Sequence, residues 1–171
     1  GMRKSPEYMY QMLDALKDES IERYMLPDTL GILNQQETYD FCLDMVNRYP
    51  ELNFDFHAHN DYDLATANVF SAIKAGISGI HTTLNGLGER AGNVPLSSVI
   101  GVVKDHFKYE MDVDEEKLYH ASKLLESFSG IRIPSNKPLI GENVFTQTSG
   151  IHADGDQKDD LYFNDLLPER F

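Results

Sequence analysis

Cysteine, positive charge and long apolar runs are all scarce in this sequence, and each scarcity narrows what the chain can be. The one cysteine, Cys42, falls in a helical pattern with no second thiol to pair with, so no intramolecular disulfide forms and a reducing cytoplasm is the expected compartment. Lys and Arg number 15 against 28 Asp and Glu, a net charge of −13, and no Lys/Arg-rich run occurs. That balance argues against a nucleic-acid or anionic-membrane partner. No apolar stretch approaches the roughly 18 residues of a membrane span, and nothing resembles a signal peptide. Gly1 ahead of Met2 reads as a residue added before an internal start.

What is present alternates between helix and strand. Pro6 to Lys17 has helical spacing, with Met9, Met12, Leu13 and Leu16 as its apolar positions. A short strand, Ile21 to Leu26, leads into Pro27-Asp28-Thr29-Leu30-Gly31. A second helix from about Gln35 to Asn47 is expected to bury Tyr39, Leu43 and Val46, and the strand Leu52 to Phe56 follows it. A third helix, about Leu64 to Lys74, closes at Gly76; the strand Ile77 to Leu84 then precedes a glycine-rich loop and a helix from Pro95 to about His106. Strand and helix alternating at this spacing predict βαβ units and a parallel sheet.

A complete barrel of eight such units needs about 250 residues, and three strands cannot close one. The expected fold is therefore α/β: part of a (β/α)8 barrel over residues 1–108, which the family resemblance given below implies to be its C-terminal portion, followed by a mostly helical linker and lid over 109–171. The second part opens on the acidic run Asp112 to Glu116, a helix start favoured by the macrodipole. That helix runs through about Phe128, before a stretch punctuated by Pro and Gly from Gly130 to Gly155.

The unusual polar residues collect at the strand exits: Asp28-Thr29, then His57-Ala-His59-Asn60-Asp61, then Asn85-Gly-Leu-Gly-Glu89-Arg-Ala-Gly-Asn93. In a parallel barrel that rim is where active sites are built. Residues i and i+2 of a strand leave the same face, so both imidazoles of His57 and His59 point one way. Alone, such a pair is more often satisfied by hydrogen bonds than by a metal, and Asp28-Thr29 alone reads as a turn and cap. His81, His106 and His120 lack ligand-like partners at useful spacing and read as structural or surface groups. Gly86-x-Gly88-x-x-Ala91 imitates a dinucleotide fingerprint, but Pro95 delays the helix and Glu89 places negative charge where a phosphate would sit.

Together with Gly150-Ile-His152-Ala-Asp-Gly155, these blocks resemble the acetyl-CoA-dependent 2-isopropylmalate, homocitrate and citramalate synthases of the metal-dependent Claisen-condensing barrel family. The resemblance implies that His57, His59 and Asn93 bind a divalent cation (Mg, Mn or Zn). Thr29, with Asp28, meets the keto-acid carboxylate, while Glu89 and Asn60 support the ligands from behind. His152 and Tyr162 match the catalytic pair that a partner subunit's lid contributes in a homodimer. The family's remaining aspartate ligand and its catalytic arginine have no match in this chain, so the chain reads as an incomplete fragment, inactive alone. Asp63 stands where many relatives carry glycine. The implied substrates are acetyl-CoA and a 2-keto acid, with 2-isopropylmalate synthesis in leucine biosynthesis as the first expectation and homocitrate or citramalate synthesis as alternatives. A reading of another class is a non-catalytic half-barrel used for binding or assembly.

Overall fold

The computed structural model describes residues 4–146, 149, 154, 166 and 168–170. Two compact units divide the chain, residues 1–81 and 82–171. The division falls ahead of the 108/109 boundary expected from the sequence, because the glycine-rich loop and the helix after it share a core with the following helix.

The first unit has the order α1 (Pro6–Leu16), β1 (Tyr24–Asp28), α2 (Gln35–Arg48), β2 (Phe54–Ala58), α3 (Ala65–Lys74) and β3 (Gly79–His81). The three strands form a parallel sheet in the order β1-β2-β3, with Leu26 opposite Phe56, Pro27 opposite His57, and His57 opposite His81. Phe54, Phe56 and Ala58 on β2 are buried, as are Tyr24 and Leu26 on β1, and Val69, Ala72 and Met45 from the helices join them. The other sheet face carries Met25 and Pro27 from β1, with Arg23 just ahead of it, and Asp55 and His57 from β2. It lies open at Met25, which is 52% exposed.

α2 starts with a full capping box, Asn34 Oδ1 accepting from the Glu37 amide and the Glu37 carboxylate accepting from the Asn34 amide. Its buried stripe is Thr38, Cys42 and Met45, one residue away from the expected Tyr39, Leu43 and Val46. Both stripes have helical spacing, and Thr38 disguised the true one: its hydroxyl is buried without a hydrogen-bond partner among the described residues. Cys42 is fully buried, which pushes its thiol up to about 12 and leaves it unreactive at neutral pH. α3 ends as the sequence predicts, with Gly76 at φ 99° and its amide donating to Ile73.

In the second unit, Leu84–Gly86 forms a single 3₁₀ turn, α4 spans Leu96–Gly101 and continues into a π-helical turn, Val102–His106, and α5 spans Glu116–Ser129. Ile100, Leu118, Leu139 and Ile140 make its core. The Asn85 side chain donates to the Ser122 carbonyl at 3.0 Å, tying the glycine-rich loop to α5. Gly130 closes α5 at φ 72°, its amide donating to Glu126. Arg170 binds Asp105 and Glu115, and Lys104 binds Glu115, so ion pairs join Arg170, the π-helical turn and the start of α5. No helix among the described residues is long and apolar enough to cross a membrane.

Candidate cation-binding site

β2 positions the histidines by alternation. Asp55 and His57 share the open face, and His59, just past the strand's carboxyl end, carries the same parity. The His57 and His59 rings meet edge-on, with centroids 5.1 Å apart. Both residues are half-buried, and His59 Nδ1 is a buried nitrogen with no hydrogen-bond partner among the described residues. A buried imidazole nitrogen left this way costs free energy unless something else meets it, and a cation is one such group.

The His57 imidazole is held below its usual value, first by burial and then by the neighbouring His59 and His81. The neutral ring is the form that donates a lone pair to a metal. Two imidazoles supply part of a ligand set, and among the described residues no three His, Cys, Asp or Glu side chains gather into a complete one. The residues present therefore fit a cation as two of its ligands, with the rest supplied from elsewhere.

The β1 exit is shaped around Asp28. Strand parity places it on the helix-covered face, where it is buried, and its two carboxylate oxygens accept from the amides of Ile32 and Leu33 at 3.2 and 3.1 Å. Asp28 thus holds the loop in place, while the next residue, Thr29, is exposed at the strand end. Gly31, at φ 58°, lets this loop approach the histidine loop: a Cβ there would sit 2.6 Å from Asp61 Oδ2 and 3.0 Å from the His59 carbonyl. Asn60 caps the following segment, accepting from the Ala65 amide and donating to Asp63 Oδ1, both at 3.1 Å. Asp63 itself has φ 58°, a left-handed conformation that explains why glycine suits this position.

In the second unit the Asn85 to Asn93 loop turns through four left-handed residues, Asn85, Gly86, Arg90 and Gly92, with φ between 54° and 85°. Asn93 is buried, its amide donating to the Gly86 carbonyl at 3.0 Å, and a Cβ at Gly88 would fall on its side-chain oxygen. Glu89 does not orient Asn93 as the sequence suggested. Its side chain is 81% exposed and reaches Arg90 at 3.4 Å, because the left-handed turn at Arg90 carries it outward. His152 and Tyr162 lie outside the described residues.

Sequence reasoning missed a third imidazole. His81, read as structural, stands opposite His57 on the open face, their rings edge-on with centroids 5.7 Å apart. Its Nε2 lies 3.1 Å from Asp55 Oδ2, and Asp55 also accepts from Arg23, whose Nε donates at 2.7 Å. The Arg23 guanidinium, aided by His81, holds the Asp55 carboxyl below its ordinary value. The period-two spacing of Asp55, His57 and His59 marks the row this network joins, but the register that brings His81 to it is not a local property of the sequence.

The HMGL-like family model matches residues 2–125. A homocitrate synthase from Sulfolobus acidocaldarius is 39% identical over 99% of this chain and 36% of its own length. A Methanopyrus kandleri protein named as an (R)-citramalate synthase is 37% identical over 99% of this chain and 34% of its own. The chain thus spans about a third of the curated relatives it matches. Among solved structures, the HMG-CoA lyase of Bacillus subtilis superposes with a TM-score of 0.68 at 25% identity, covering 76% of this chain and 45% of that one.

Proposed function

Because this chain belongs to the HMGL-like family, we propose that it contributes the histidine pair and two rim loops to an acetyl-CoA-dependent condensing enzyme acting on a 2-keto acid. The observation that carries this is the placement of His57 and His59 at the carboxyl end of β2, on the face opposite the helices, with a buried nitrogen left to be met. When bound, a divalent cation supplies Lewis-acid polarisation of the keto carbonyl. His57 and His59 hold it as neutral imidazoles, and Asp28 fixes the loop that presents the Thr29 hydroxyl toward a carboxylate.

Condensation is favoured over cleavage, although lyases share the fold. The Gly88-Glu-Arg-Ala-Gly-Asn93 block is part of the resemblance to the synthases, and the curated relatives above are named as synthases. Their names move the preferred keto acid from 2-ketoisovalerate to 2-ketoglutarate, with pyruvate second. The test is metal-dependent thiol release from acetyl-CoA with the three keto acids in parallel, on the protein purified from its source. A highest kcat/KM for 2-ketoglutarate supports the reading; a highest value for 2-ketoisovalerate restores isopropylmalate synthesis, and no release with any of them removes the condensing activity.

A further inference from the structure

The Arg23, Asp55 and His81 network is more elaborate than a sheet needs. Asp55 is nearly buried, at 9% exposure, yet it lies on the open face, in the same period-two row as the two candidate ligands. Burying a carboxylate is unfavourable unless it is paired, and this one is met from both neighbouring strands: by Arg23 ahead of β1 and by His81 at the end of β3. The guanidinium also donates to Ser78 Oγ at 3.0 Å.

Room for this crossing comes from one residue. Gly79 sits opposite Asp55 in the parallel register, and a Cβ there would collide with both the Asp55 carboxylate and the Arg23 guanidinium. His81, two residues on, has its Nε2 at Asp55 and its ring edge against His57, its direct cross-strand partner. An exposed ion pair alone would add little to stability. A ring held at one edge by a buried carboxylate and pressed against a ligand ring has a definite effect: it limits the orientations that the ligand ring can take.

We infer that His81 is a positioning residue for the cation site, held by the Asp55 and Arg23 pair and setting the orientation of the His57 ring. The inference rests on the cation reading of His57 and His59. Groups behind metal-bound histidines commonly change metal affinity by about ten- to a hundredfold, and an effect toward the lower end fits a contact made through ring packing.

The experiment is Co2+ titration of the 171-residue chain, following both affinity and the visible absorption bands that report ligand geometry. The variants are His81→Ala, His81→Phe, Asp55→Asn and the double variant Asp55→Asn/His81→Ala, each checked for a cooperative thermal transition. His81→Ala should weaken affinity about tenfold and shift the bands. His81→Phe, which keeps the ring edge and loses only the carboxylate bond, should recover part of both. The double variant should be no worse than His81→Ala, because both changes break one connection. Unchanged affinity and bands in folded His81→Ala, or strictly additive losses in the double variant, would overturn the positioning role. Absence of Co2+ binding by the unmodified chain would overturn it together with the cation reading beneath it, whereas binding that survives His81→Ala unaltered removes the positioning role alone.

Discussion

β2 and the Asn85 to Asn93 loop both carry residues expected at the site, but they position them by opposite means. β2 does it by regular alternation: every second residue from Asp55 to His59 shares one face, and the intervening Phe56 and Ala58 are fully buried on the other. The loop uses departures from regularity, with left-handed turns at Asn85, Gly86, Arg90 and Gly92 and a side-chain-free Gly88 that makes room for Asn93. The strand therefore anchors its site residues through the buried packing of its other face, whereas the loop depends on glycine at particular positions.

The largest effect should come from the strand's own ligands. His57→Ala or His59→Ala should weaken divalent-cation binding by about ten- to a hundredfold or more with little loss of thermal stability, measured by calorimetric titration. Equal affinity in both variants would reduce the comparison to a matter of folding alone. In the loop the order of effects reverses. Gly92→Ala places a Cβ against the Gly86 carbonyl at a φ of 85°, and should cost about 2–4 kcal/mol of stability, read by denaturant unfolding.

A smaller effect belongs to Asp28, whose two amide bonds hold the β1 exit loop. Asp28→Ala should cost about 1–3 kcal/mol. The Asp55 carboxyl is held below its ordinary value of 3.8, first by the Arg23 hydrogen bond. Its contribution to stability is therefore present above the unfolded-state value and is lost as pH falls through the lowered folded-state value. Asp55→Asn should flatten the fall in Tm between about pH 5 and about pH 2, and an unaltered profile would contradict the pairing. The smallest change is expected at Asp63. Replacing this left-handed residue by glycine should stabilise by up to about 1 kcal/mol, offset in part by the lost Asn60 bond, as read from Tm.

The same contrast explains what could be read from sequence. The parallel order of strands, the helix from Pro6, the Gly76 closure and the shared face of His57 and His59 all follow from periodicity and glycine chemistry, which are local properties. The α2 face was misjudged because Thr38 and Cys42 bury as well as Leu43 would, and periodicity alone cannot choose between adjacent stripes. His81 was overlooked because its value comes from a partner 26 residues away, and no local pattern announces the register that pairs it with His57. Glu89 was misplaced because its direction depends on the left-handed backbone at Arg90, a residue type that seldom adopts that conformation.

The central claim is that the open face of β2 presents a cation with two imidazoles. Its most direct test is substoichiometric Mn2+ added to the 171-residue chain while the imidazole Cε1–H signals are followed by NMR. His57 and His59 should broaden first, and His81 next because its ring adjoins His57. Uniform broadening of all these signals, or broadening that begins at His106 or His120, would contradict the claim.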